Sequence, residues 1–148
     1  MPVMLLMTLG MIDFGRAFVF GVAVQEGTRQ AARVAASANY SNAVAITNSD
    51  VLGRLVAGSN PALAGCLPQT TSQSCNGGTW TFSVSVLSSG GTTYSTVEAA
   101  RAASALAGAQ VTVTATGSVA LLPGFSTGAF GLRLPLINVQ GQTAMVVL

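Results

Sequence analysis

Residues 13–15 are Asp-Phe-Gly. In protein kinases the aspartate of this three-residue motif binds a magnesium ion. A kinase also needs a glycine-rich loop, a lysine on its third strand and a His-Arg-Asp loop. The chain contains no lysine and no histidine, so neither of the last two parts can exist. The letters therefore do not indicate phosphoryl transfer, and Asp13 needs another explanation.

The other side chains that could do acid–base chemistry are few and far apart in the sequence. Besides Asp13, the acids are Glu26, Asp50 and Glu98. Histidine, the commonest general base and metal ligand, is missing. No phosphate loop, dinucleotide fingerprint or zinc spacing is present. We therefore expect no enzyme activity, no catalytic residues, and no metal or other cofactor.

The composition is unusual for a soluble domain. Of the 148 residues 50% are hydrophobic and only 7% are charged, against about 25% charged in an average soluble domain. The net charge of +2 is too small to indicate binding to nucleic acid. Many serine, threonine, asparagine and glycine residues indicate a neutral polar surface of the kind found on secreted or cell-surface proteins.

The segment that carries Asp13 reads as one long helix over residues 3–38. Residues 3–24 are almost continuously apolar, and about 20 such helical residues cross a bilayer. No basic segment precedes this run and no A-x-A site directly follows it, so we expect a membrane-inserting helix that is retained, not a signal peptide. From residue 25 the helix is polar and alanine-rich, with a small-residue stripe at Ala31, Ala32 and Ala35.

Asp13 and Arg16 lie three residues apart inside the apolar run. A charged side chain in hydrocarbon costs about 2.5–3.5 kcal/mol on insertion scales. The two charges could offset each other within one helix, or pair between helices and set their register. Alternatively, they mark the water interface of a shorter span.

Two cysteines, Cys66 and Cys75, enclose eight residues rich in threonine, serine and glutamine. A bridge between them would contribute roughly 2–3 kcal/mol in an oxidising compartment. The alternative is two free thiols in a cytosolic protein. The apolar helix and the polar loop favour the disulfide.

The remaining chain predicts short elements. Ser49 or Asp50 would cap a helix through Val56. Residues 79–89 alternate as a half-buried strand, with Trp80, Phe82, Val84 and Val86 on one face, so Trp80 reads as core and not as a sugar-stacking residue. A second helix would begin with a capping box at Ser95 and Glu98 and end at Gly108. Strands follow at 109–121, with Val111, Val113 and Ala115 inward, and at 137–148, joined by a Pro/Gly loop.

The expected fold class is therefore α+β. A long N-terminal apolar helix, the stalk, packs its polar half on a small antiparallel sheet of at least three strands. The expected division is a membrane and assembly helix at 1–24 and a periplasmic or extracellular globular domain at 25–148.

The residues at both ends of the chain resemble the TadE/TadG-like proteins of tight-adherence (Tad) pili. The first part of the resemblance is an apolar segment containing Gly10, Asp13, Phe14, Gly15, Arg16 and Ala17, followed by Gly27, Arg29, Ala31, Ala32 and Arg33. The second part is "VTVTATGSVALLPG" followed by "INVQGQTAMVV" near the C-terminus.

The resemblance implies a pilin-like protein of the type IV filament superfamily. Such proteins insert in the inner membrane, are cleaved by a prepilin peptidase and pack helix against helix into an extracellular fibre. They usually carry a basic leader and a glutamate early in the mature chain. The sequence opens "MPVMLLM" without these, which leaves Asp13 and Arg16 as the charges that could set helix register.

We therefore expect a structural subunit of an extracellular pilus, a homo-oligomer that contacts the pilus assembly machinery. The alternative is a minor membrane-anchored pseudopilin that acts in pilus assembly or initiation. The assembly contacts are expected from the first helix, at Val3, Leu5, Leu6, Leu9, Gly10, Asp13, Phe14, Gly15, Arg16, Phe18 and Phe20.

Overall fold

The computed structural model describes residues 2–39, 45–76, 78–120 and 136–147. The helices are α1 (Pro2–Ala36, followed by a 3-10 turn at Ser37–Asn39), α2 (Asn48–Gly58) and α3 (Val97–Ala102). The strands are β1 (Gln73–Cys75), β2 (Gly78–Leu87), β3 (Thr93–Tyr94), β4 (Gln110–Ala120) and β5 (Leu136–Val146). The predicted α+β class, with a long N-terminal apolar helix and an antiparallel sheet, is confirmed.

In the residues that the structure describes the sheet has five strands, and every pairing between them is antiparallel. Its order is β1-β2-β4-β5, with β3 paired to the other end of β2. The three long strands are the predicted ones. The two short strands escaped prediction because two or three residues are too few to show an alternating pattern. Residues 121–135, most of the predicted Pro/Gly loop, lie outside the described residues.

The alternation of side chains along the strands is as predicted. In β2 the side chains of Trp80, Phe82, Val84 and Val86 are buried, and in β4 so are those of Val111, Val113 and Ala115. Phe82 lies opposite Ala115 and Val84 opposite Val113, so large and small side chains share the inner face.

The outer face of the same strands carries uncharged polar side chains. One row across the sheet runs from Thr81 through Thr116 to Gln140, and the next from Ser83 through Thr114 to Gln142. These positions are exposed or half-buried. The surface of the sheet that points away from α1 is therefore uncharged and mostly polar, as the composition predicted, with the exposed Leu87 and Val146 at one end.

The alanine-rich half of α1 packs on the inner face of the sheet. Val24, Ala31, Ala32 and Ala35 are fully buried, as expected for the small-residue stripe. In β5, a Cβ added at Gly141 would lie 2.9 Å from a methyl of Val24. Only glycine at this position lets the helix approach the strand this closely.

A buried pair of hydroxyls joins the same helix to the same strand. The Oγ1 atoms of Thr28 and Thr143 are 3.1 Å apart, and Thr28 also donates to the carbonyl oxygen of Gln25 at 2.8 Å. Both hydroxyls are therefore satisfied, so burying Thr28 under the sheet leaves no unpaired polar group.

Both predicted helix starts were wrong by one to three residues. The N-cap of α2 is Thr47, not Ser49 or Asp50, and the N-cap of α3 is Thr96, not Ser95. Glu98 does not complete a capping box, because its carboxylate accepts the backbone N–H of Asn48 in another helix. A tertiary contact has replaced the local one that the sequence suggested.

The predicted end of α3 at Gly108 was also wrong. The helix ends at Ala102, and Ser104 takes the left-handed conformation that stops it, with φ 53°. Gly108 has φ 68°, but its N–H donates to the carbonyl oxygen of Val147. Gly108 therefore anchors the chain to the residue after β5 and not to a helix.

The cap of α2 predicts a measurable pH effect. Hydrogen bonds from the hydroxyl and backbone N–H of Thr47 to the carboxylate hold the pKa of Asp50 below its ordinary value. A depressed carboxyl pKa stabilises the fold above the pKa of the unfolded chain, and this stability is lost as the pH falls below about 4. We expect Thr47→Ala to cost about 1 kcal/mol at pH 7, measured by urea unfolding, and to raise the Asp50 titration midpoint in an NMR titration. An unchanged midpoint would contradict the capping geometry.

Candidate functional site

The N-terminal half of α1 projects from the rest of the molecule. Among the side chains of this helix that the structure describes, that of Phe20 is the first to be buried. Before it and beside it lie eight large apolar side chains that are 51–77% exposed: Met4, Met7, Met11, Ile12, Phe14, Phe18, Val19 and Val22. We call residues 2–19 of α1 the stalk.

The length of the stalk suits a membrane. Eighteen helical residues at 1.5 Å each extend about 27 Å, close to the roughly 30 Å of hydrocarbon in a bilayer. In the described part of the chain α1 is the one helix long and apolar enough to cross a membrane, with Met7–Ala36 as the candidate span. Little of its most apolar stretch is buried, which distinguishes it from the core helix of a globular domain.

The structure places the predicted assembly residues at different depths. The rings of Phe14 and Phe18 are largely exposed, Leu9 is half-buried and Phe20 is buried. The side chains of three further predicted residues lie outside the described ones: Val3, Leu5 and Leu6.

The glycines of the stalk leave open space on its surface. A Cβ at Gly10 or Gly15 would meet nothing within 4 Å, and the same holds for Gly21 just below the stalk. No close contact inside the chain therefore requires glycine at these positions. Small residues on an apolar helix allow another helix to approach closely.

Asp13 and Arg16 are both half-buried but do not pair with each other. The guanidinium carbon of Arg16 lies 5.2 Å from the centre of the Phe20 ring, a cation–π contact within one helix. Among the described residues, the carboxylate of Asp13 has no ion pair or hydrogen bond. By contrast, Glu26 and Arg29, an acid and an arginine at the same spacing in the polar half, form an ion pair of 4.0 Å.

The predicted disulfide is present. Cys66 and Cys75 are bonded, with their Cα atoms 5.2 Å apart. The side chain of Gln73 accepts the N–H of Leu67 at 2.8 Å and donates to its carbonyl oxygen at 2.7 Å. The amide of Asn76 donates to the carbonyl oxygens of Pro61 and Ala62. The small loop is therefore held by side chains as well as by the bridge.

Removing the bridge should destabilise the domain. A loop with a sequence separation of 9 predicts a loss of about 2–3 kcal/mol for a double Cys66→Ser, Cys75→Ser variant. Denaturant unfolding in detergent measures it, and reductant should lower the midpoint of the wild type but not of the variant. Equal midpoints for the two proteins under oxidising conditions would contradict a stabilising role.

Sequence reasoning missed a polar cluster at the base of the molecule. Arg101 of α3 donates to the carbonyl oxygen of Ala38 at 3.4 Å and to that of Ile46 at 3.0 Å. Together with the contact between Glu98 and Asn48, it ties the end of α1 and the start of α2 to α3. These side chains hold three helices together. Their partners lie 50 or more residues away, so no local signal could have revealed them.

The crossing of α1 and α2 was also not predicted. A Cβ at Gly27 would overlap the Ser59 hydroxyl, and one at Gly58 would lie 3.1 Å from the Cα of Gly27. The two helices therefore touch backbone to backbone at this point. Glycines inside a helical pattern are a weak signal of such a crossing.

No metal site is evident in the residues that the structure describes. No group of three or more histidine, cysteine, aspartate or glutamate side chains in them lies close enough to hold an ion. The features that stand out are the exposed stalk, its two charges and the bridged loop.

The first helix matches a known protein family. Residues 1–33 match the family model of TadE-like proteins, which confirms for this segment the resemblance drawn from the sequence. The match covers the stalk and most of the alanine-rich half of α1. No curated protein and no solved structure matches the chain.

Proposed function

Because the N-terminal helix of this chain is TadE-like, we propose that the protein is a pilin, a structural subunit of an extracellular type IV or Tad-like pilus. The family match and the exposed helix fit a membrane-anchored protein related to the Tad pilus. That family is a structural one, not known for catalysis. The subunit role is the further step that the next observations support.

The exposed stalk is the observation that carries the proposal. Fully burying a large aliphatic or aromatic side chain stabilises the buried state by about 1.5–3 kcal/mol. Eight such side chains of α1 are more than half exposed. Contiguous exposed apolar surface of this kind marks a membrane or protein interface. Lipid covers the stalk before assembly, and the stalks of other copies cover it in the fibre.

The globular part is arranged suitably for the outside of a fibre. One face of the sheet packs on α1, so the opposite face points away from a bundle of α1 helices. That face carries the uncharged rows of threonine, serine and glutamine. We assign the stalk to the membrane and to assembly. The chain from the buried Phe20 onward forms the domain that is exposed in the periplasm and then outside the cell.

The same helix supports a second candidate function. A stalk of about 27 Å also suits a protein that stays in the inner membrane as a minor pseudopilin in pilus assembly or initiation. In both cases the partners are the pilus assembly machinery and, where a leader is processed, a prepilin peptidase. The pilin role additionally requires contacts between many copies.

Stoichiometry in sheared fibres separates the two functions. Cells expressing a tagged chain are sheared, and the fibres are imaged by electron cryomicroscopy while the membrane fraction is blotted. We expect the chain to be the main component of the fibres, with bundled stalks visible in the helical reconstruction. Retention of the chain in the membrane fraction, with fibres made of another protein, would favour the pseudopilin role and overturn the pilin proposal.

A further inference from the structure

We infer that Asp13 of one copy forms an ion pair with Arg16 of a neighbouring copy in the bundle of stalks. The inference rests on the proposed function, because it requires stalks packed side by side. It assigns a partner to each of the two charges of the otherwise apolar stalk.

Asp13 is the stalk charge for which the described part of its own chain supplies no partner. Its carboxylate has no ion pair or hydrogen bond among the described residues. An unpaired carboxylate in lipid or in a helix bundle is costly, so the assembled state gains by supplying a cation. Arg16 can serve, since a guanidinium has five N–H donors and can keep its contact with Phe20 while it binds a carboxylate.

The surface around Asp13 leaves room for that cation. Gly10 lies three residues before Asp13 and Ala17 four residues after it, so both flank it on the same face of the helix. A Cβ at Gly10 would meet nothing within 4 Å. A neighbouring stalk can therefore come close at this point, as small residues allow in membrane helices.

The exposed apolar stripe lies on a different face from the two charges. Met7, Met11, Phe14 and Phe18 follow each other at spacings of four, three and four residues, which places them on one face. Asp13 lies seven residues before Phe20, on the face that packs against the domain lower down the helix. A stalk can thus present its apolar stripe to one neighbour and its charges to others.

The pairing predicts how neighbouring stalks are shifted. Copies that enter the same membrane in the same direction are parallel. Asp13 and Arg16 are three residues apart, about 4.5 Å along the axis, so Asp13 of one copy meets Arg16 of a copy shifted by about this distance. Each copy offers one acid to one neighbour and one base to another, which is the open, head-to-tail type of contact that builds a filament.

Charge reversal tests whether the pair joins two chains. Asp13→Arg or Arg16→Asp alone places two like charges in each stalk, and we expect each to lower the chain recovered in sheared fibres by about ten-fold or more. Co-expression of the two single variants restores opposite charges only between chains, so we expect it to recover most of the fibre yield. The double variant Asp13→Arg, Arg16→Asp should recover it as well.

The control is another acid and arginine at the same spacing in the same helix. Glu26 and Arg29 pair within their own chain in the polar half of α1. Glu26→Arg and Arg29→Glu should change fibre yield by less than about two-fold, since an exposed pair contributes little. Formation of the Cys66–Cys75 bridge in the membrane fraction reports that each variant is inserted and folded.

A milder variant covers the case in which a reversed charge blocks insertion. Asp13→Asn removes the charge and little else, and we expect it to lower fibre yield several-fold while the bridge still forms. Unchanged yield for Asp13→Asn would overturn the inference. Rescue by the double variant but not by co-expression would also overturn it, because the pair would then lie within one chain.

Failure of this inference is distinct from failure of the proposed function. If the wild-type chain forms the fibres but the charge variants assemble normally, the pilin role stands and the pairing does not. If the wild-type chain is absent from the fibres, the proposed function itself fails.

Discussion

Gly27→Ala should destabilise the protein by about 1–3 kcal/mol, the usual cost of forcing extra volume into a packed contact. The added Cβ would overlap the Ser59 hydroxyl and lie 2.6 Å from the carbonyl oxygen of Leu55. The Ser59 side chain can rotate away, but the Leu55 carbonyl belongs to the backbone of α2. It also accepts the N–H of Ser59 at 3.0 Å, so moving it disturbs the end of that helix.

Thermal unfolding of the detergent-solubilised protein, followed by circular dichroism, measures this effect. For a chain of this size we expect the Tm of Gly27→Ala to fall by about 3–10 °C. Gly21→Ala is the matched control, because the new Cβ in the same helix would meet nothing within 4 Å. Alanine is the better helix former, so the control should be neutral or more stable by about 0.5–1 kcal/mol.

A third variant distinguishes the two obstacles at Gly27. If the Leu55 carbonyl is decisive, adding Ser59→Gly to Gly27→Ala will not restore the Tm. Full rescue would mean that the Ser59 side chain alone opposes the new Cβ. A Tm of Gly27→Ala equal to that of Gly21→Ala would contradict the close crossing of α1 and α2 altogether.

The parts of the fold that could be predicted are those whose pattern repeats along the chain. Apolar and polar residues alternate along β2 and β4 because one face of each strand is buried under α1. Every second residue is therefore a buried apolar one, such as Trp80 and Phe82 in β2 and Val111 and Val113 in β4. The stripe at Ala31 and its neighbours was visible for the same reason. Strand β3, two residues long, has no room for a pattern.

The helix caps could not be predicted, because neighbouring residues are chemically equivalent. Ser95 and Thr96 offer the same hydroxyl, as do Thr47 and Ser49. The choice between them depends on where the rest of the chain holds the helix. The carboxylate of Glu98, for instance, accepts a hydrogen bond from the backbone N–H of Asn48, 50 residues away, and does not cap its own helix.

The candidate site was predictable in part. The apolar segment and its two charged residues can be identified from the sequence, but the side chains with which these charges interact cannot. Glu26–Arg29 and Asp13–Arg16 are both an acid followed three residues later by an arginine, yet only the first forms an ion pair in the described structure. The side chain of Arg16 lies over Phe20 instead, and a pattern of letters does not encode that choice.

Phe18 and Phe20 should respond to the same substitution in opposite ways. They are two residues apart in α1, but the side chain of Phe18 is 66% exposed and that of Phe20 is 5% exposed. Phe20→Ala should cost about 3 kcal/mol of folding stability, as expected for a buried ring. Phe18→Ala should change stability by less than about 0.5 kcal/mol, as for other exposed positions.

Assembly should show the reverse order once stability is taken into account. A large exposed ring in the stalk becomes an interface residue in a bundle, where truncation of an aromatic anchor commonly costs 2 kcal/mol or more, about 30-fold. We expect Phe18→Ala to reduce the chain in sheared fibres by about ten-fold or more, while its urea midpoint in detergent stays at the wild-type value. Normal fibres from Phe18→Ala would remove this ring from the contact between copies. An unchanged midpoint for Phe20→Ala would mean that the stalk continues past Phe20 towards the C-terminal end of α1. Because both variants change the same side chain in the same helix, the contrast between them separates the surface that folds the domain from the surface that joins one copy to the next.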